Sequence, residues 1–136
     1  MSDREAIQEL INRYSLALSR RDWPGVAAVF SPDARWELAG SSIELEGPKV
    51  GQGLKDLVES TSSTLVQMNA PATIEINGNT AKARSIMHEV ADVEAQNKHV
   101  ELYGVYEDEL VKRDGQWLFK LRVFNTLNLR STPLKV

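Results

Sequence analysis

Few side chains in this chain could do chemistry. It has 136 residues, no cysteine and two histidines, His88 and His99. That removes a thiolate nucleophile and leaves too little imidazole for a Cys-ligated or His-rich metal site, so metal-free, cofactor-free chemistry is the expectation. The candidates are the phenols Tyr14 and Tyr106, the carboxylate Asp108, and His88 as the best remaining imidazole. A phenol can donate to a developing oxyanion, or act as an acid if its pKa of about 10 is lowered. A carboxylate pointing into an apolar interior is costly unless hydrogen-bonded, and a raised pKa would make it a general base. The alternative roles are structural: Tyr14 as a core tyrosine with a satisfied hydroxyl, Asp108 as the partner of Tyr14, a Trp or a helix terminus.

The elements that must position these groups follow from periodicity. Ser2 and Glu5 form a capping box, after which Ile7, Leu10, Ile11, Tyr14 and Leu18 recur at helical spacing to about Arg20. Asp22 caps a second helix with Pro24 in its first turn and Val26, Val29 and Phe30 on its apolar face. That capping geometry accounts for Asp22 without a catalytic role. Ala34 to Ala39 alternates as a strand, with Ala34, Trp36 and Leu38 on one face, and Ile43 to Leu45 is short enough to pair back. After Gly47-Pro48 and Gly51, the spacing of Leu54, Leu57, Val58, Thr61 and Leu65 predicts a third helix.

The remainder reads as strands. Thr73 to Ile76 leads through Asn77-Gly78 into a long strand from Thr80 to about Val93, and Asp114-Gly115 joins Leu102–Arg113 to Gln116–Asn125. A two-residue turn there sets Glu107 opposite Arg122, Glu109 opposite Lys120, Tyr106 opposite Val123 and Leu110 opposite Phe119. The opposite-charge pairs then share an outer face. In this register Tyr106, Asp108, Phe119, Leu121, Val123 and Asn125 point inward. On the long strand Ala81, Ala83, Ser85 and Met87 form the inward face, placing His88 outside unless a bulge reverses it. His99, beside Lys98 in a polar loop, reads as a solvated surface residue.

Helices first and a meander last predict a single α+β domain over residues 1–130 with a tail at 131–136. Three helices would pack on a curved mixed or antiparallel sheet and enclose a pocket. Sixteen Lys and Arg against nineteen Asp and Glu give a net charge of −3, with no basic run to track a phosphate backbone, so nucleic acid is not an expected partner. No apolar run is long enough for a membrane span and no secretory signal opens the chain, so a soluble, cytoplasmic protein is expected.

The order of elements resembles the SnoaL-like branch of the nuclear transport factor 2-like superfamily. So do Ile-Asn-Arg-Tyr14-Ser-Leu-Ala-Leu, Arg-Asp22-Trp23, Val-Phe30-Ser-Pro-Asp33-Ala, Gly78-Asn-Thr-Ala81-Lys-Ala83-Arg, and Gly104-Val-Tyr106-Glu-Asp108 running on to Trp117. The resemblance implies a cone around a deep, largely apolar cavity, frequently in a homodimer. Relatives include scytalone and bile acid dehydratases, a dehydrochlorinase, ketosteroid isomerase, polyketide cyclases and noncatalytic binders. It also matches Tyr14 to a substrate-contacting tyrosine.

The eliminating members resemble one another in an Asp three residues before the Asp-Trp-like pair and in a His near the end of the third helix. Here those positions fall on Ser19 and Met68, and no His precedes His88. The usual Asp-His dyad is therefore missing. The expectation is a cofactor-independent lyase or isomerase acting on an apolar, aromatic or polycyclic small molecule, with Tyr106 and Tyr14 polarising it and Asp108 or His88 moving the proton. Leu18, Trp36, Met68, Phe119 and Asn125 are the expected substrate-binding positions. If neither Asp108 nor His88 reaches the cavity within hydrogen-bonding distance of Tyr14 or Tyr106, the enzyme reading fails. The alternative is a noncatalytic ligand-binding or accessory protein.

Overall fold

A computed structural model describes all 136 residues. Ser2 Oγ accepts from the Glu5 amide and opens α1 (Asp3–Ser19), and Asp22 accepts from the Gly25 amide to open the short α2 (Trp23–Ala28). The chain continues through β1 (Phe30–Leu38), β2 (Glu44–Glu46), α3 (Lys49–Thr61), β3 (Thr64–Asn69), β4 (Thr73–Asn77) and β5 (Thr80–Val93). It ends in β6 (Lys98–Arg113) and β7 (Gln116–Pro133). The seven strands form one mixed sheet, ordered β2-β1-β7-β6-β5-β3 with β4 also on β5; β1 runs parallel to β7 and the other pairs are antiparallel. Three helices against this open, cone-like sheet make an α+β fold.

Several expected details change. The third helix stops at Thr61, and Leu65 begins the alternation of β3 instead. The Ser62–Thr64 stretch is extended, and β3 finds an antiparallel partner in β5, which outweighs the apolar spacing that suggested another helical turn. Strand β7 runs past the expected tail boundary to Pro133, opposite Lys98.

The most consequential change lies in the last hairpin. Asp114 and Gly115 both have positive φ, 51° and 77°, as the tight turn requires. Leu110 faces Phe119 as expected, but the pairing then shifts by one residue. The extra residue is Lys120, as a bulge would leave it. Beyond it Asp108 faces Arg122, Glu107 faces Val123 and Tyr106 faces Phe124. A one-residue shift exchanges the two faces of a strand. Arg122 and Phe124 are therefore buried, whereas Leu121, Val123 and Asn125 are only partly covered.

The core fills the space between the helices and the inner face of the sheet. Ile7, Leu10, Ile11, Tyr14 and Leu18 of α1 meet Phe30, Ala34 and Trp36 of β1, Leu54 and Val58 of α3, and Tyr106, Phe119 and Phe124 of the hairpin. No helix is long and apolar enough to cross a membrane.

Candidate functional site

A cavity of about 190 Å³ opens within this core. Its wall comes from Tyr14 and Leu18 on α1, Trp36 and Leu38 on β1, Leu54, Leu57 and Val58 on α3, Leu65 and Gln67 on β3, Met87 and Glu89 on β5, Leu102 and Tyr106 on β6, and Phe124 on β7. Most of this lining is apolar, so the few polar groups stand out. Alternation puts them there: odd-numbered residues of β3 and β5 and even-numbered residues of β6 face inward.

At one end the Tyr14 and Tyr106 hydroxyls lie 3.4 Å apart, both fully buried. Whichever phenol donates to the other, one O–H is free for a ligand. Burial pushes both phenols above the ordinary tyrosine value, Tyr14 the further, while the positive charge of Arg122 works in the opposite sense. Both therefore carry their protons at neutral pH. The indole N–H of Trp36 approaches the Tyr106 hydroxyl but is left without a hydrogen-bond partner.

At the other end stands Glu89. Its carboxylate accepts from Gln67 Nε2 at 2.8 Å. Burial raises it above the usual carboxylate range; the Gln67 hydrogen bond only partly opposes this, and no cation offsets it. Gln67 is fixed in turn, its backbone N–H donating to Ser19 Oγ at 2.9 Å. Its Oε1 is buried and unpartnered. The cavity thus joins proton donors at the tyrosine end to a proton acceptor at the Glu89 end.

Beneath the phenols, and outside the cavity wall, Arg122 is completely buried. Its guanidinium carbon lies 3.7 Å from the Tyr106 ring centroid, 4.3 Å from Phe119 and 4.4 Å from Tyr14. Asp108 grips it in a two-point ion pair, Nε donating at 2.8 Å and Nη2 at 3.2 Å. Burial raises Asp108, with Arg122 opposing it, and burial also works against the charge on Arg122, where Asp108 and the phenols prevail and hold its pKa above the ordinary arginine value.

Of the expected site residues, Tyr14, Tyr106, Leu18 and Trp36 meet at the cavity. Asp108 is inward but spent on Arg122 rather than free to take a proton. His88 faces outward on β5, stacked on Tyr103 with ring centroids 4.3 Å apart, because no bulge interrupts β5. Met68 is 53% exposed on the same outer face, opposite His88. Phe119 packs in the core under Arg122, away from the cavity wall. Asn125 sits half-buried on the opposite face, donating to the Val105 carbonyl and the Glu107 carboxylate. His99 is not a lone surface residue either: its Nδ1 lies 2.7 Å from Asp92. The requirement that Asp108 or His88 reach the tyrosine hydroxyls is not met.

Sequence reasoning passed over Glu89, Gln67 and Arg122. Glu89 was legible, since the inward series Ala81, Ala83, Ser85, Met87 continues directly to it. Gln67 and Arg122 were hidden by the misplaced helix and by the register shift. No group of three or more His, Asp or Glu side chains comes together as metal ligands would.

A cone-like α+β fold with a small apolar cavity between helices and sheet is the architecture expected of SnoaL-like proteins. The chain belongs to the SnoaL-like domain family, which matches residues 1–123. An uncharacterized protein of Mycobacterium tuberculosis is 28% identical over 125 residues, covering 90% of this chain and 84% of that one. Two solved structures share the fold. One is the type 3 LinA hexachlorocyclohexane dehydrochlorinase of Novosphingobium barchaimii, with a TM-score of 0.87 and 19% identity over 95% of this chain and 89% of that one. The other, a candidate scytalone dehydratase of Novosphingobium aromaticivorans, has a TM-score of 0.85 and 24% identity, covering 100% and 95%.

Proposed function

We propose that this protein is a cofactor-independent lyase or isomerase that moves a proton on a small apolar molecule. Glu89 is the base in this reading, and the Tyr14–Tyr106 pair donates to the substrate's oxygen. The observation that carries it is Glu89 itself: a raised-pKa carboxylate facing an apolar cavity, bound to a neutral amide rather than a cation. Such a group is expensive to bury for structural reasons alone, and a raised pKa makes it a stronger base than an ordinary carboxylate.

The volume, about 190 Å³, is little more than the roughly 150 Å³ that admits benzene. That favours a single ring over the polycyclic substrates first considered. For a ring carrying a carbonyl, Glu89 would take a proton from the adjacent carbon. The C–H electron pair would form the C=C bond and the carbonyl π pair would move onto oxygen, where a phenol O–H donates. Where the ring also carries a β,γ C=C, the resulting dienolate takes the proton back at the γ-carbon as the carbonyl re-forms, which completes an isomerisation. Where the β-carbon carries a leaving group, re-forming the carbonyl shifts the C=C pair to the α,β position and the group departs with its bonding pair, which completes an elimination. The fold-sharing dehydrochlorinase and candidate dehydratase are consistent with that second branch.

A noncatalytic ligand-binding role is the competing reading, favoured by Ser19 and Met68 standing at the positions where the family's eliminating members resemble one another in an Asp and a His. Proton exchange separates the two. One-ring cyclic ketones in D₂O, followed by NMR, should exchange their α-protons with the wild-type protein, and Glu89→Gln should slow this by about 10²–10⁴-fold. Ketones that bind without exchange would leave ligand binding as the function. A cytoplasmic homodimer completes the proposal, the exposed Val66, Met68, Ile86 and Tyr103 offering apolar surface for a second copy; sedimentation of the purified chain tests this.

A further inference from the structure

We propose that Arg122 is a positioning residue of the cavity. Locked by Asp108 against the Tyr106 and Tyr14 rings, its guanidinium holds a positive charge behind the two phenols. It thereby selects ligands carrying negative charge on an oxygen at the tyrosine end. The inference rests on the tyrosine pair being the oxygen-binding end of the cavity and is independent of the role given to Glu89.

The geometry gives Arg122 no ordinary structural purpose. Replacing a buried ion pair with apolar residues of similar volume is often neutral or stabilising, so the pair is not needed to hold the core together. Asp108 occupies Nε and Nη2, leaving Nη1 buried and unpartnered. The guanidinium carbon is 3.7 Å and 4.4 Å from the Tyr106 and Tyr14 centroids. A positive charge on a ring face draws electron density from the hydroxyl toward the ring and makes its O–H a stronger donor, in line with Arg122 working to lower both phenol pKa values. The charged and titratable groups around the phenols are Arg122 on β7, Asp108 on β6 and, across the cavity, Glu89 on β5. Only Arg122 is a cation, so the field at the tyrosine end is set by it and weakened by the carboxylates.

The probe is 4-nitrophenol, one ring in size and coloured when ionised, titrated into the purified protein above and below its own pKa. Wild type should bind the phenolate more tightly than the neutral phenol. An Arg122→Met/Asp108→Leu double variant, which removes both charges and leaves neither unpaired, should lose about tenfold or more of that preference. Arg122→Lys keeps the charge and should retain most of it. Asp108→Asn removes the opposing carboxylate and should increase it. A double variant with unchanged preference, an Asp108→Asn variant with reduced preference, or a wild-type protein that prefers the neutral phenol overturns the proposal. Should the double variant fail to fold, the opposite displacements expected of Asp108→Asn and of Arg122→Ala at its own lower stability decide the matter. Loss of ketone exchange in Glu89→Gln with the phenolate preference intact separates this proposal from the assignment of the base.

Discussion

Glu89 and His88 are neighbours on one strand and occupy opposite environments. Glu89 turns inward to Gln67 and a cavity lined by Trp36, Tyr106 and Phe124. His88 turns outward to stack on Tyr103 opposite the exposed Met68. By residue type the imidazole was the better proton carrier. By position the carboxylate is, because the pleat of β5 decides which side chain meets the cavity, and burial then raises the carboxylate's pKa. Chemistry here follows the face of the sheet before it follows the identity of the side chain.

The same contrast separates an inner from an outer arginine–carboxylate pair of strand β6, and it sets the largest expected effect. Arg122 and Asp108 are both fully buried, whereas the Arg84–Glu107 pair spans 3.5 Å with Arg84 73% exposed. Arg122→Met alone leaves Asp108 charged and unpaired in the core and should cost about 3–5 kcal/mol in urea denaturation. Arg84→Ala should change stability by less than about 0.5 kcal/mol. Equal losses at the two sites would erase the inner–outer distinction.

A smaller effect distinguishes Glu89 by its pH dependence. Its folded pKa lies above the unfolded value of 4.5. Below both values each state holds the proton and nothing is lost. As pH rises from the unfolded pKa toward the folded one, the unfolded chain releases its proton first and the native state loses stability, a loss that is constant at higher pH. Glu89→Gln should therefore melt above wild type at about pH 8, with the difference shrinking as pH falls below 4.5. The activity proposed for Glu89 should show the complementary trend and fall as pH drops through its raised pKa.

The smallest effect is expected at His88. His88→Ala forfeits the stack on Tyr103, worth about 0.5–1.5 kcal/mol, and should leave ketone exchange within about twofold of wild type. A large loss of exchange would return the imidazole to the site.

Much of the fold was legible in the residues. The capping box of α1, the Asp22 cap, the alternation of β5 and the Asp-Gly turn all rest on local rules that the folded chain obeys. The site was harder to read because two non-local events decide it. The shift at Lys120 carries Arg122 from a plausible outer partner of Glu107 to a buried partner of Asp108. Leu65 leaves the expected helical pattern and residues 64–69 become a strand on β5, which turns Gln67 inward and Met68 outward. Neither choice is written in the spacing of the affected residues, since each depends on how the segment pairs with another strand. Glu89 needed no such event; it follows from continuing the β5 alternation by one more step.

The central claim is that Glu89 is a partly buried acid poised for proton transfer, and titration of its ¹³C-labelled carboxyl by NMR tests it most directly. The account predicts a midpoint above 4.5, moving higher still in Gln67→Leu, where the hydrogen bond that favours the charged form is gone. A wild-type midpoint at or below 4.5, unmoved by Gln67→Leu, would contradict it.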